Sequence, residues 1–292
     1  MGSVKVESGT LDSRAIRSSF SRSSIGYDKV TGFHREEAGR LWRLIQAGFP
    51  LPEDSRRGWG KILDIGSGTG NMLYCLKFPF CRFFCLDISQ GMNLFLREKS
   101  AGTPLEKKSS QVTGEGERLP FPAGTFDLVV SNLAFQWCAD PEKLFREIRA
   151  VLKPGGGLGF SWFGESTLLE IQEIYKELSP VGAGNYLHPF YSVQEMKAAL
   201  IAAGFAITEE RTREERLFYR NAAEMLRWIK MTGGQNAGSE RPRGLGRRSL
   251  INAFIREYDR RFRTDASRVY ATFAVGSFTV KIPEGSFPGL EG

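Results

Sequence analysis

A run of three alternating glycines, Gly66-Ser67-Gly68-Thr69-Gly70, constrains this chain more than any other feature. It follows the apolar start of a strand, Ile62-Leu63, and leads straight into a helix-forming stretch over residues 71–77. Glycine lacks the Cβ that keeps other residues out of left-handed backbone and away from a ligand. A glycine-rich turn between strand and helix therefore brings bare main chain against a bound molecule. A carboxylate, Asp87, stands 17 residues past Gly70 at the end of a second apolar run, 82–86. At the tip of the next strand such an acid is placed to hold the two hydroxyls of a ribose. The pattern predicts a nucleoside-containing ligand.

The middle of the chain alternates between the two regular periods. Apolar or β-rich runs at 61–65, 82–86, 126–131 and 158–163 read as strands, and helical patterns fall between them at 71–77, 90–99 and 141–152. Lys153-Pro154-Gly155-Gly156-Gly157 stops the last of these helices. Strands alternating with helices imply a parallel sheet covered on both faces, with ligands outside the carboxyl ends of the strands. Two flanks surround this core. Residues 13–46 have helical character, as do 192–203 and 221–263, the last broken by a glycine-rich stretch, 233–246, that reads as a mobile loop. Strand character returns at 205–211 and 269–275. We expect one structural domain in three parts: a helical flank or lid (1–54), a ligand-binding core (55–165) and a C-terminal completion with a basic helical insertion (166–292).

Composition excludes several classes. No run of about 18 apolar residues suggests a membrane span, and residues 1–10 are too polar for a secretory signal. Cys75, Cys81, Cys85 and Cys138 lack paired metal-ligand spacing, and only His34 and His188 could help them, so no metal site is expected. Buried thiols of this kind fit a reducing, cytoplasmic compartment. The net charge of +7 is concentrated: residues 205–270 hold fourteen arginines and Lys230 against nine acids, a net +6. Such a surface favours a polyanionic partner (nucleic acid, an anionic membrane or an acidic protein) or is a solvated face without one.

The glycine spacing narrows the ligand. Gly66-x-Gly68-x-Gly70 departs from the G-x-G-x-x-G run that seats a pyrophosphate on a helix N-terminus. Asp64, two residues before the first glycine, would repel a pyrophosphate and attract a cation, directly or through water. S-adenosylmethionine carries a sulfonium and an ammonium and no phosphate, which suits this arrangement.

Residues 64–70 resemble the first motif of class I S-adenosylmethionine-dependent methyltransferases. The resemblance extends through Asp87-Ile88-Ser89, the run from Gly114 to Phe121, Phe126-Asp127-Leu128-Val129, Ser131-Asn132-Leu133 and Leu152-Lys153-Pro154-Gly155-Gly156. It implies a Rossmann-like α/β fold: a mostly parallel seven-stranded sheet with helices on both faces, an N-terminal helical lid and a helical insertion before the last strand. It also implies cofactor-binding roles. Gly66, Ser67 and Gly68 would approach the methionine part, anchored by Asp64. Asp87 would accept from the ribose hydroxyls and Ile88 would pack on the adenine. Glu115 and Gly116 would sit at the adenine edge, where the family more often has Asp-Ala. Asn132 and Leu133 would lie beside the methionine moiety, while Asp127 would brace a loop and touch no ligand.

The flanks resemble a narrower group, the malonyl-acyl-carrier-protein O-methyltransferases of biotin synthesis. The N-terminal pattern is Phe20, Arg22, small residues and then Tyr27, with Ser23-Ser24 replacing the commoner Ala-Ala. Further likeness lies in Asn132-Leu133-Ala134-Phe135-Gln136-Trp137, in Trp228-Ile229-Lys230 followed by Gly233, in Gly244-Leu245 and in Tyr270-Ala271-Thr272-Phe273. This likeness implies methyl transfer to the carboxylate of a malonyl group on an acidic acyl carrier protein, or on coenzyme A. Such a carboxylate is already ionised at neutral pH, so no general base is required and no catalytic residue is named. Arg22, Tyr27, Gln136 and Trp137 are the substrate or lid candidates, and His188 is either a cleft or a turn residue. An arginine among Arg211, Arg213, Arg220 and others is expected to clamp the carboxylate. Three other readings remain at this stage: a methyltransferase of quinones or other small molecules, a nucleic-acid methyltransferase and a non-catalytic assembly factor. The nucleic-acid reading is opposed by Asn132-Leu133-Ala134-Phe135 in place of a base-flipping motif.

Overall fold

The computed structural model describes residues 13–23, 27–49, 59–76, 80–178, 190–232 and 246–283. Among them the chain opens with α1 (Ser13–Ser23), α2 (Tyr27–Val30) and α3 (Gly32–Gly48). The core follows as β1 (Trp59–Ile65), α4 (Asn71–Cys75), β2 (Phe80–Asp87), α5 (Gln90–Ser100), β3 (Ser109–Thr113) and β4 (Phe126–Asn132). After a 3-10 turn at Phe135–Trp137 come α6 (Pro141–Val151), β5 (Leu152–Phe163), α7 (Leu169–Leu178) and α8 (Val193–Ala202). The chain ends with β6 (Ala206–Tyr219), α9 (Ala222–Met231), α10 (Gly246–Arg261) and β7 (Val269–Lys281).

The seven strands form one sheet in the order β3-β2-β1-β4-β5-β7-β6. β1 to β5 pair in parallel, and β7 runs antiparallel between β5 and β6. The order reverses between β1 and β4, and a crevice opens outside the strand ends at such a switch point. This is the Rossmann-like architecture expected, with α9 and α10 as the helical insertion before the last strand.

Alternation within the strands assigns the two faces. Leu63 of β1 and Val129 of β4 pack with Phe145, Ile148 and Leu200. Ile62, Leu128 and Val130 point the other way, onto Ala38, Leu41 and Ile45 of α3. Strands buried on both faces read as continuous apolar runs, which is why the pattern found them. α3 lies close against β5, because a Cβ on Gly159 would come 2.3 Å from Ile45 Cγ1. A third apolar cluster joins α7, α9 and α10 to β7 around Ile171, Met225, Tyr258 and Phe273.

Several boundaries differ from expectation. β3 shows no strand signal, since Ser109-Ser110-Gln111-Val112-Thr113 has one apolar residue and lies at a sheet edge. β6 and β7 continue well past the predicted 205–211 and 269–275, because thirteen paired positions carry polar β6 along a largely buried β7. β5 begins at Leu152, before the Pro-Gly run, so that run sits inside a strand with a register shift opposite Phe126 and Leu128. α8 starts on the predicted cap: Ser192 and Glu195 form a reciprocal capping box. Asp127 braces as expected, accepting from Lys61 N–H at 2.7 Å and from Lys153 Nζ at 2.8 Å. The glycine-rich stretch 233–246 lies, except for Gly246, outside the described residues, as does Gly244-Leu245. No helix among the described residues is long and apolar enough to cross a membrane, and no described cluster of His, Cys, Asp or Glu could hold a metal ion.

Candidate active site

Strand ends and the turns after them build the first wall. Gly66 and Ser67 N–H groups donate to Leu86 O at 2.8 and 3.1 Å, which stitches the glycine turn to the end of β2. Gly66 has φ 72°, and a Cβ there would lie 2.3 Å from the Cβ of Ala134. Gly68 has φ 51° with only the Tyr27 ring, 3.9 Å away, near its missing Cβ, so its main chain faces open space.

Two buried acids flank this turn in different states. Asp87 accepts from Gly68 N–H through Oδ2 and from Ser89 N–H through Oδ1, both at 2.8 Å. Burial pushes its pKa up to about 6, against the pull of those two hydrogen bonds. Each oxygen keeps a lone pair for a further donor. Asp64 is 1% exposed, and neither of its oxygens has a hydrogen-bond partner among the described residues. Burial, and then the neighbouring Asp87, push its carboxyl well above the usual range. An unpartnered buried carboxyl is costly, and a cation placed beside it would remove that cost.

β4 ends in a strained turn. Leu133 has φ 52°, uncommon for a branched residue, and is held there by its N–H donating to Ser161 O at 3.0 Å. Its carbonyl accepts from Gln136 Nε2 at 2.7 Å. Asn132 accepts from Ser161 Oγ at 3.1 Å and donates through Nδ2 to His34 O at 2.9 Å, tying α3 to the strand end.

Three neighbouring cavities that share lining residues occupy the crevice. The largest spans about 900 Å³, open solvent included; Gly66, Asp87, Ile88, Glu115, Gly116 and Asn132 form its sheet side, and Ile16 and Phe20 of α1 line it from the helical side. The second, about 440 Å³, is aromatic, with Phe20, Trp137, Phe163, Phe190, Trp228 and Phe273 among its walls. The third, about 290 Å³, lies over Asp64, Ser67 and Thr69. Tyr27 lines all three; His34 lines the second and third, and Leu133 the first and second. Ser67 Oγ and Thr69 Oγ1 are also buried without partners in the described residues, which leaves the third cavity rich in uncommitted polar atoms.

α1 and α2 are strapped over the crevice as a lid. Arg17 pairs with Glu115 at 3.3 Å, Ser21 meets Ser89 Oγ at 3.0 Å, and Phe20 packs edge-on to Trp137 with ring centres 5.8 Å apart. Lys99 Nζ reaches Asp28 Oδ2 at 2.6 Å and Thr69 O at 3.2 Å.

The sequence-predicted residues are thus brought together, with exceptions. The Arg22 side chain and His188 lie outside the described residues. None of the three arginines named as carboxylate clamps lines these cavities. Arg213 is engaged by Glu37 and Glu215, Arg211 by Glu209 at 2.9 Å, and Arg220 by Glu224 at 3.1 Å on the surface. Local acids on the same sheet edge and helix capture these guanidinium groups. Sequence reasoning missed the site roles of Ile16, His34, Phe163 and Phe190, which carry no motif and meet only through the tertiary fold, and it named Phe20 only as part of the N-terminal pattern.

A family model described as a methyltransferase domain matches residues 63–160. A malonyl-[acyl-carrier protein] O-methyltransferase from Geobacter sulfurreducens is 31% identical over 270 residues, covering 91% of this chain and 97% of that protein. A biotin biosynthesis bifunctional protein, BioHC, from Cellvibrio japonicus is 29% identical over 86% of this chain and 47% of its own length. Among solved structures, a SAM-dependent methyltransferase from Leishmania major shares the fold with a TM-score of 0.54 and 14% identity, covering 92% of this chain and 82% of that one.

Proposed function

Because the chain belongs to the malonyl-[acyl-carrier protein] O-methyltransferase family, we propose that it methylates the free carboxylate of a malonyl thioester carried by an acidic acyl carrier protein. Its methyl donor is S-adenosylmethionine. The observation that carries the reading is the meeting of a polar cavity over unpartnered Asp64 with an aromatic cavity at Tyr27.

The residues present fit the donor. Asp64 would hold its ammonium group, Asp87 its ribose, and Ile88, Glu115 and Gly116 its adenine, while Gly66, Ser67, Gly68, Asn132 and Leu133 would surround its methionine part. Bound there, S-adenosylmethionine supplies a methyl on a positively charged sulfur, taken directly by a carboxylate oxygen while the bonding pair stays on sulfur and no proton moves. The chain's own task is to align that oxygen and exclude water. Tyr27 and Phe20 cover the junction, and Trp137 and Gln136 form its floor. Gln136 is itself fixed, since its Oε1 accepts from Phe163 N–H at 3.4 Å.

Arg227, Lys230, Arg256 and Arg268 are exposed and make no ion pair with described residues, which leaves them free for an acidic carrier. Esterification would hide the terminal charge and let the acyl chain enter apolar pockets, consistent with a relative named for biotin biosynthesis. The test is incubation with labelled S-adenosylmethionine and malonyl-acyl carrier protein. A base-labile methyl ester on the malonyl group is expected, at a rate that falls with added salt. Its absence while the cofactor is bound would sink the proposal, and transfer to a carrier-free aromatic acceptor instead would replace it.

A further inference from the structure

We infer that His34 receives the substrate carboxylate, donating a hydrogen bond from its imidazole to the oxygen that does not take the methyl. The inference rests on the malonyl reading above and assigns that reading's missing anion contact.

A carboxylate entering the aromatic cavity loses water and needs donors in return. No lysine or arginine is among the cavity's described lining. The polar side chains there are mostly committed. Thr167 Oγ1 donates to Ala274 O at 3.0 Å and accepts from Ala274 N–H at 3.1 Å, and Thr232 Oγ1 donates to Trp228 O at 3.1 Å. Gln136 spends its amide on Leu133 and Phe163. Tyr27 and His34 remain, beside the indole N–H groups of Trp137 and Trp228, which also line the cavity.

His34 has the attributes of a fixed donor. It is 5% exposed, and its Nδ1 is buried with no partner among the described residues. Its ring is wedged between Tyr27, Phe33, Phe163 and Trp228, with centroid distances of 6.0, 6.2, 6.1 and 6.1 Å. Its backbone is tied to the end of β4 through Asn132. Burial in this apolar nest lowers its pKa to about 4, so the ring is neutral near pH 7 and carries one N–H and one acceptor. A bond from that N–H to an anion is stronger than one to a neutral ester. His34 therefore favours substrate over methylated product and aids release of the latter. Because His34 also borders the cavity over Asp64, the oxygen it leaves free faces the methionine end of the cofactor site.

The experiment titrates the full chain and its His34→Phe and His34→Gln variants with malonyl-pantetheine and with the methyl ester of that compound, in the presence of S-adenosylhomocysteine. His34→Phe is expected to weaken malonyl-pantetheine about 10- to 100-fold and the methyl ester by less than about threefold, the usual difference between a charged and a neutral acceptor. S-adenosylhomocysteine affinity stays unchanged, and His34→Gln, which keeps an N–H donor, recovers most of the loss. Equal weakening of both acyl ligands, no weakening, or loss of S-adenosylhomocysteine binding in both variants overturns the assignment and makes His34 a packing residue. Failure of the unmutated chain to bind or methylate malonyl thioesters overturns the functional reading instead.

Discussion

On the cofactor side of Tyr27, apart from the lid, the walls come from strand ends and the turns directly after them; on the acceptor side they come from segments scattered between Phe20 and Phe273. The first side uses main chain and two carboxyls, placed by the backbone path from β1 through β2. The second uses rings, each contributed by a different element and each partly replacing another. A site of the first kind depends on single atoms. A site of the second kind spreads its energy over many contacts.

The largest expected effect follows from that contrast. Asp64→Asn keeps the size of the side chain but removes the only charge aimed into the third cavity from β1. Truncating one member of a buried charge pair costs roughly 2–5 kcal/mol. Affinity for S-adenosylhomocysteine, measured by calorimetry, should therefore fall by about two to three orders of magnitude, with the fold intact by circular dichroism. An affinity within tenfold of the unmutated chain would mean that the cofactor side, too, is distributed.

The two sides should also respond to acid with opposite signs. His34 has a pKa lowered by burial to about 4 from an unfolded value of 6.5. Between those values the unfolded chain binds the extra proton, so this group makes stability rise with pH, by on the order of 3 kcal/mol. Asp87 has a pKa raised by burial to about 6 from 3.8. There the folded chain binds the extra proton, so stability falls as pH rises from about 4 to 6, again by on the order of 3 kcal/mol. Asp64, raised in the same direction, adds to the fall. In the cofactor-free protein the two carboxyls together outweigh the imidazole, so stability declines as pH rises from about 4 to 6. Urea unfolding of His34→Phe should show a steeper decline of stability with pH, and Asp87→Asn a flatter one. Parallel slopes in the two variants would refute the electrostatic contrast between the sides.

The same contrast explains what was legible in the amino-acid order. Gly66, Asp87 and Asn132 each sit at a fixed step from an apolar strand, so a period of two followed by a turn locates them. β3 escaped because its residues are polar and its partner lies on one side only. His34 escaped because its importance comes from Phe163 and Trp228, more than a hundred residues away, whose rings leave its nitrogen dry. The excess of arginine over residues 205–270 does not by itself tell which of these side chains stay uncommitted. Glu37, which is 2% exposed and lies in α3, takes Arg213 out of contention, and Glu173 and Glu177 of α7 engage Arg261. Charge counts along a segment do not include acids that the fold supplies from elsewhere.

The smallest expected effect lies where the two sides share a part, the lid. Lys99 of α5 joins Asp28 of α2 at 2.6 Å, touches Thr69 O at 3.2 Å and lies 4.5 Å over the Tyr74 ring. Both charged side chains are about a quarter exposed (28% and 25%). Solvent therefore screens the pair, and contacts of this kind contribute about 1 kcal/mol or less. Asp28 Oδ1 is buried without a partner among the described residues, so removing Lys99 leaves that carboxylate poorly compensated. Lys99→Met should favour the open lid and raise the dissociation rate of S-adenosylhomocysteine roughly three- to fivefold in stopped-flow measurements, as expected for a loss near 1 kcal/mol. Adding Asp28→Asn should then change little, because the two side chains act through one contact. A loss as large as that of Asp64→Asn would shift the main cofactor anchor from the strand end to the lid, and the division drawn at Tyr27 would no longer hold.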